Sequence, residues 1–168
     1  MIFTRIAGIV RDSIVDGVGI RDVIFLQGCI HHCEGCHNPH TWNREQGELL
    51  LVDEVIDLLS NSTNDVTISG GEPLLQFEDV VWLTRKLKLL YGKHIWLYTG
   101  FTYEEIPFFI WELLARYVDV VVDGKFVKEL ADTKLLFRGS SNQRLIDLPK
   151  TVIEQKIVLW EDNYERQD

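Results

Sequence analysis

Short runs of β-branched and apolar residues alternate along this chain with longer stretches whose apolar positions recur every three or four residues. Thr4 to Ile9 reads as an initial strand or hairpin arm, and Val23 to Leu26 as a buried strand running into Gln27-Gly28-Cys29. From Asp53 to Asn61, Val55, Ile56, Leu58 and Leu59 fall at helical spacing, with Asp53 placed to favour the first turn electrostatically. Val66-Thr67-Ile68 is a compact strand ended by Ser69-Gly70-Gly71-Glu72-Pro73. Val80, Val81, Leu83, Leu87 and Leu90 mark one side of a helix from Phe77 to Leu90, with Gly92 as its natural stop. Ile95 to Tyr98 is a strand ending in Thr99-Gly100, and Tyr103 to Tyr117 is helical with a break at Pro107, which has no N–H for the helical ladder. Val118 to Val122 is a very apolar strand ending in Asp123-Gly124-Lys125, and Arg144 to Ile146 and Lys156 to Trp160 are weaker strand candidates.

Apolar strands separated by amphipathic helices predict an α/β fold with a mostly parallel sheet. Only about four strand–helix units fit this length, whereas a full eight-unit barrel takes about 250 residues. The expected architecture is therefore a partial, open (β/α) barrel, truncated relative to a full TIM barrel, in a single domain spanning residues 1–168. Ligands of such sheets gather at the carboxyl ends of the strands. The loop after Leu26, Gly70-Gly71-Glu72, Thr99-Gly100 and Asp123-Gly124-Lys125 all fall at such ends, so the pattern aims polar, glycine-bearing turns at one rim.

Composition narrows the partners. The chain is 46% hydrophobic and 26% charged, which is globular. No apolar run is long enough to span a bilayer, and Met1-Ile2-Phe3-Thr4-Arg5 lacks the start of a signal peptide. A cytoplasmic protein with no membrane partner is expected. The formal net charge is −9, and Arg85, Lys86, Lys88 and Lys93 read as a solvated helix face and its end. A phosphate-backbone binder usually carries a basic stripe, so nucleic acid is a poor partner.

The sequence holds three cysteines, Cys29, Cys33 and Cys36, spaced C-x3-C-x2-C. An odd number cannot form a fully paired disulfide framework, and clustered thiols in a reducing compartment bind metal or do redox chemistry. A cubane iron–sulfur cluster usually takes four cysteines. With three, one iron stays open to a substrate, by the logic of catalytic metal sites. The alternative is a structural Cys3His zinc site, with His31, His32, His37 or His40 as the fourth ligand. A ferredoxin-like carrier is less favoured because no fourth cysteine exists. Placement at a strand end counts against zinc, which usually staples small, loop-rich modules.

C-x3-C-x2-C after a first core strand resembles the radical S-adenosylmethionine superfamily. The resemblance implies a [4Fe-4S] cluster on Cys29, Cys33 and Cys36 whose open iron binds S-adenosyl-L-methionine and cleaves it reductively. Gly35 stands where many members place an aromatic residue. With Asn38, Trp42 and Gly17-Val18-Gly19-Ile20-Arg21 it is similar to the glycyl-radical activating enzymes, in particular those serving anaerobic ribonucleotide reductases.

By that resemblance, Gly35, Cys36 and His37 contact the cofactor, and Gly70, Gly71 and Glu72 recognise its methionyl amino group. Thr99 lies by the ribose or adenine. Asp123 and Lys125 lie by the carboxylate, with a monovalent cation as a further candidate at Asp123. Taken alone, these are ordinary turns and strand ends. The segment Phe137 to Arg144 also resembles activators of anaerobic ribonucleotide reductase, either closing over the cofactor or meeting the partner. Trp82, Trp96, Trp111, Phe108 and Phe109 could line a partner groove, but their places on the apolar faces of helices and strands favour core.

The implied partners are a large glycyl-radical reductase subunit as protein substrate, entering through the unclosed side of the barrel, and an external electron donor such as a flavodoxin-type protein. The rivals are an activase of another glycyl-radical enzyme such as pyruvate formate-lyase, a radical enzyme acting on a small molecule, and a structural zinc-binding interaction module.

Overall fold

The computed structural model describes residues 1–162, and the end of the expected domain, 163–168, lies outside the described residues. The chain runs β1 (Phe3–Ser13), β2 (Arg21–Leu26), β3 (Glu48–Leu51), α1 (Val52–Leu59), β4 (Asp65–Gly70), α2 (Phe77–Tyr91), β5 (Ile95–Tyr98), α3 (Phe108–Leu114), β6 (Val120–Asp123), β7 (Arg144–Asp147) and α4 (Leu148–Glu154). The strands form one seven-stranded sheet in the order β3-β1-β2-β4-β5-β6-β7. Neighbours β2, β4, β5 and β6 are parallel. β1 is antiparallel to β2 and β3, and β7 is antiparallel to β6. Five of the seven strands thus point the same way, and the two edges, β3 and β7, do not pair. This is the mostly parallel, open α/β sheet that the hydrophobic pattern predicts.

Several elements differ from expectation. β3 was hidden in a leucine run that leads straight into α1. The helix expected over Tyr103 to Tyr117 splits into a 3-10 turn at Tyr103–Glu105 and α3, with Pro107 capping the second piece. β6 starts at Val120 rather than Val118. Lys156 to Trp160 makes only an isolated bridge, Ile146 to Leu159. The residues before it form α4, whose start is fixed by the Asp147 carboxylate accepting from the Lys150 N–H. α2 ends as expected, with Gly92 in the left-handed region at φ 63°.

Alternate residues of each strand serve two faces. Ile24, Ile68, Leu97 and Val121 are buried with Val55, Leu83 and Leu114 of the helices. On the opposite face Trp96, Val120 and Val122 are covered by loops, through Val18, Phe137 and Trp160.

Arg21 anchors the first of those loops. It is fully buried. Its Nε donates to Thr67 Oγ1 (2.8 Å), Nη1 to the Val18 carbonyl (3.0 Å), and Nη2 to the carbonyls of Val66 (2.7 Å) and His94 (2.8 Å). Its guanidinium lies 5.6 Å from the Trp96 ring centre. Burial lowers its pKa to about 10. A side chain on Gly17 would press Arg21 and Trp96 at 2.8–2.9 Å. The Gly17-to-Arg21 segment therefore plugs the strand-start half of this face, and Thr67 Oγ1, which donates to the Asp16 carbonyl at 2.6 Å, continues the chain of contacts upward. Among the described residues, no helix is long and apolar enough to cross a membrane.

Candidate functional site

Because β2, β4, β5 and β6 are parallel, their carboxyl ends share one rim. A cavity opens there between the loop covering and the strand ends. Its wall includes Cys29, Cys33 and Cys36, the glycines Gly70 and Gly71, Thr99 with Gly100, and Lys125. The cysteine loop is held at its root by main-chain bonds: Gly28 N–H to Thr41 O (2.6 Å), Cys29 N–H to Trp42 O (3.1 Å) and Glu72 N–H to Gly28 O (2.8 Å). A Cβ on Gly70 would collide with the Leu26 backbone, and one on Gly71 with the Gly28 carbonyl. These glycines let the ends of β2 and β4 meet while leaving bare backbone toward the cavity.

All three thiols are free and half-buried. The His31 N–H reaches Cys29 Sγ at 3.4 Å, the Asn38 N–H reaches Cys36 Sγ at 3.3 Å, and the Phe126 amide bonds Cys33. Burial pushes the Cys29 thiol up, with Glu72 and Cys36 adding to it; burial does the same to Cys33, helped by Cys36 and Cys29. Thiols that repel one another's negative charge, each supplied with an N–H, suit a cationic centre of soft-ligand preference.

Three of the four candidate histidines have ring partners: His31 Nε2 lies 2.7 Å from Glu72 Oε2, His32 stacks on Trp42, and His37 packs on Phe126, while the His40 side chain is exposed. Among the described residues, no three His, Cys, Asp or Glu side chains are placed to hold a single metal ion. Sulfurs bound to one zinc at about 2.3 Å crowd together, whereas a cubane's ligands sit on separate irons. The donor set fits an iron–sulfur cluster, and among the described residues no histidine completes a single-metal group with the thiols.

The other predicted residues divide. Glu72 is fully buried and does not face the cavity. Its Oε1 accepts from the Leu74 N–H (2.9 Å) and Thr99 Oγ1 (2.8 Å), and its Oε2 from the Gly100 N–H (2.7 Å) and His31 Nε2 (2.7 Å). With two donors on each oxygen, the carboxylate's acceptor capacity is filled inside the protein. Asp123 is 1% exposed and accepts from the Tyr103 N–H (2.7 Å) and from Arg144 (Nε 3.0 Å, Nη2 2.5 Å). The Arg144 guanidinium, held also by Glu104, therefore stands beside Asp123 where the sequence suggests a monovalent cation. His37, Thr99 and Lys125 line the cavity, while Gly35 shapes the loop, in a left-handed turn at φ 74° that packs near Phe126.

Asp16, Tyr98 and Phe126 also line the cavity and were not foreseen, while Gln143 reaches it from the Phe137-to-Arg144 segment. Tyr98 had a legible signal: it lies two residues from Trp96, on the same face, at the last position of its strand. Its hydroxyl donates to the Phe137 carbonyl at 2.5 Å. Gln143 folds the Phe137-to-Arg144 segment over the end of β6, donating to Gly124 O (2.9 Å) and accepting from the Gly139 N–H (2.9 Å).

Residues 15–146 match the family described as 4Fe-4S single cluster domain. The anaerobic ribonucleoside-triphosphate reductase-activating protein of Enterobacteria phage T4 is 43% identical over 138 residues, covering 78% of this chain and 86% of that protein. The protein of the same name from Escherichia coli K12 is 35% identical over 140 residues, covering 78% and 90%, and that of Vibrio cholerae is 37% identical over the same shares. Among solved structures, QueE from Escherichia coli aligns with a TM-score of 0.49 at 22% identity, over 58% of this chain and 52% of that one.

Proposed function

Since the chain belongs to the anaerobic ribonucleoside-triphosphate reductase-activating protein family and carries its 4Fe-4S single cluster domain, we propose that it is a radical S-adenosylmethionine enzyme that forms a glycyl radical on the large subunit of such a reductase. The observation that carries this reading is the placement of three thiols, with no fourth, on the same cavity wall as the glycine-bearing ends of the neighbouring parallel strands.

Cys29, Cys33 and Cys36 would hold a [4Fe-4S] cluster and leave one iron open, with S-adenosyl-L-methionine beside it. When bound, these groups supply a one-electron reductive cleavage that ends in removal of a hydrogen atom from the partner's glycine. The chain's own residues hold, orient and shield. The backbone of Gly70 and Gly71 lines the cavity and would offer its polar groups to the methionyl amino end. Lys125, exposed on the wall, offers a positive charge to the cofactor carboxylate. Thr99 and His37 line the same cavity, and the rings of Trp42, Tyr98 and Phe126 on its wall would limit the access of water to a bound cofactor. A flavodoxin-type donor would supply the electron, and the partner's glycine loop would enter from the side that the sheet leaves unclosed.

Anaerobic reconstitution tests the reading. It predicts a brown protein with about four irons per chain, 5′-deoxyadenosine released from S-adenosyl-L-methionine on reduction, and a glycyl radical signal once the anaerobic reductase is added. Zinc in place of iron, with no deoxyadenosine, would overturn it. A radical raised on pyruvate formate-lyase and not on the reductase would reassign the partner.

A further inference from the structure

The buried Glu72 carboxylate joins pieces of chain that are far apart in sequence. It accepts from Thr99 Oγ1 and the Gly100 N–H beyond β5, from the Leu74 N–H beyond β4, and from the imidazole of His31 in the cysteine loop. His31 lies between Cys29 and Cys33, and its own N–H bonds Cys29 Sγ. Its side chain is 6% exposed and that of Glu72 is 0% exposed. The ring has room only because residue 100 is glycine: a Cβ there would collide with the imidazole. The far side of the ring meets Phe101 edge-on at 4.7 Å. Hydrogen bond, absent Cβ and aromatic edge together define one seat for His31.

We propose that His31 and Glu72 act as a positioning pair, registering the cysteine loop against the ends of β4 and β5 so that the thiols keep a fixed relation to Gly70, Gly71 and Thr99. In this role each acts through the loop, His31 from the cavity wall and Glu72 from beneath it. The pair does what partners of metal ligands do elsewhere, where a hydrogen bond one step removed from the ligand sets its direction and the tenacity of the metal. Glu72 suits this task because its two oxygens are already committed to main-chain and hydroxyl donors, which leaves the fourth position fixed in direction and selective for a donor arriving from the loop.

The inference rests on the cluster-binding reading above, and the test separates the two. Anaerobically reconstituted protein is challenged with an iron chelator, and the spin-resonance spectrum and reduction potential of the reduced protein are recorded. His31→Phe keeps the ring but removes the donor; it is expected to release iron about 10- to 100-fold faster and to shift both the spectrum and the potential. His31→Gln, which places an amide N–H near the position of Nε2, should return all three readouts toward the parent. Glu72→Gln should resemble His31→Phe, and the double variant should be no worse than the poorer single one, because both break the same bond.

Parental iron loss with an unchanged spectrum in His31→Phe would overturn the proposal. So would additive penalties in the double variant, or a His31→Gln as labile as His31→Phe. If His31→Phe does not fold, a stable His31→Gln beside a labile Glu72→Gln supports the pair and the reverse order sinks it. A parental protein that takes up no iron defeats the functional reading instead. The pair is then judged on the iron-free chain by alkylation of Cys29, which His31→Phe should speed about tenfold and His31→Gln should not; equal rates would refute it.

Discussion

Arg21→Lys keeps the buried charge and removes the fork. Arginine reaches Thr67, Val18, Val66 and His94 with three nitrogens pointing different ways, all within 3.0 Å. Lysine ends in one nitrogen on a shorter stem, so at least two of those acceptors lose their donor in a fully buried site. A hydrogen bond to a charged group contributes roughly 1.5–3 kcal/mol, so the variant should be destabilised by about 3 kcal/mol or more. That is a large part of a total that is typically about 5–15 kcal/mol. At roughly 2–4 °C per kcal/mol for a chain of this size, Tm should fall by at least about 6 °C in a thermal melt followed by circular dichroism. Arg21→Met leaves the same acceptors unpaired and should be no more stable than the lysine variant. A lysine Tm within about 2 °C of the parent, or a methionine variant as stable as the parent, would show that these hydrogen bonds do not hold the loop.

Three further outcomes follow from the geometry. Gly71→Ala must push the Gly28 carbonyl away and break the 2.8 Å bond from the Glu72 N–H; it should cost about 1–3 kcal/mol by overpacking, read as a lower urea midpoint, and an unchanged midpoint would contradict the close approach. Lys125→Met should weaken S-adenosyl-L-methionine binding about tenfold or more, as loss of a charge-assisted bond does, with iron content unchanged; anaerobic calorimetry measures it, and equal affinity would remove Lys125 from the site. Asp22 would be raised by burial alone, but hydrogen bonds from Ser62, Asn64, the Asp12 backbone and Arg11 hold it below the usual carboxylate range. Its stabilisation is therefore present above the unfolded carboxyl pKa of about 4 and is lost as pH falls through the lower folded value. Asp22→Asn should lower stability near neutrality and make the acid limb of the stability–pH curve shallower, and a limb as steep as the parent's would refute the assignment.

Much of the rim was legible from the chain alone. Strands with β-branched runs and glycine-bearing ends, such as Val66 to Ile68 with Ser69-Gly70-Gly71, stand out because burial on both faces demands continuous apolar residues and the turn demands release from them. The cysteine loop stood out because the thiol spacing is local. What spacing cannot carry is convergence. Glu72 looks like an acid offered to a ligand until β5 brings Thr99 and Gly100 beside it and the loop brings His31. Nothing local to Gly17-to-Arg21 signals that Arg21 is buried; that comes only when the strand-start half of the face closes over it. Asp123 looks like a cation ligand until Arg144, from the antiparallel β7, reaches it. α4 did have a local signal, Asp147 before Leu148-Pro149, which a weak strand pattern nearby obscured.

The root of the cysteine loop is sewn to its neighbours by peptide groups, at Gly28, Cys29 and Glu72. The three sulfurs therefore ride on the main chain of the sheet, and whatever tilts the ends of β2 and β4 steers them as one body.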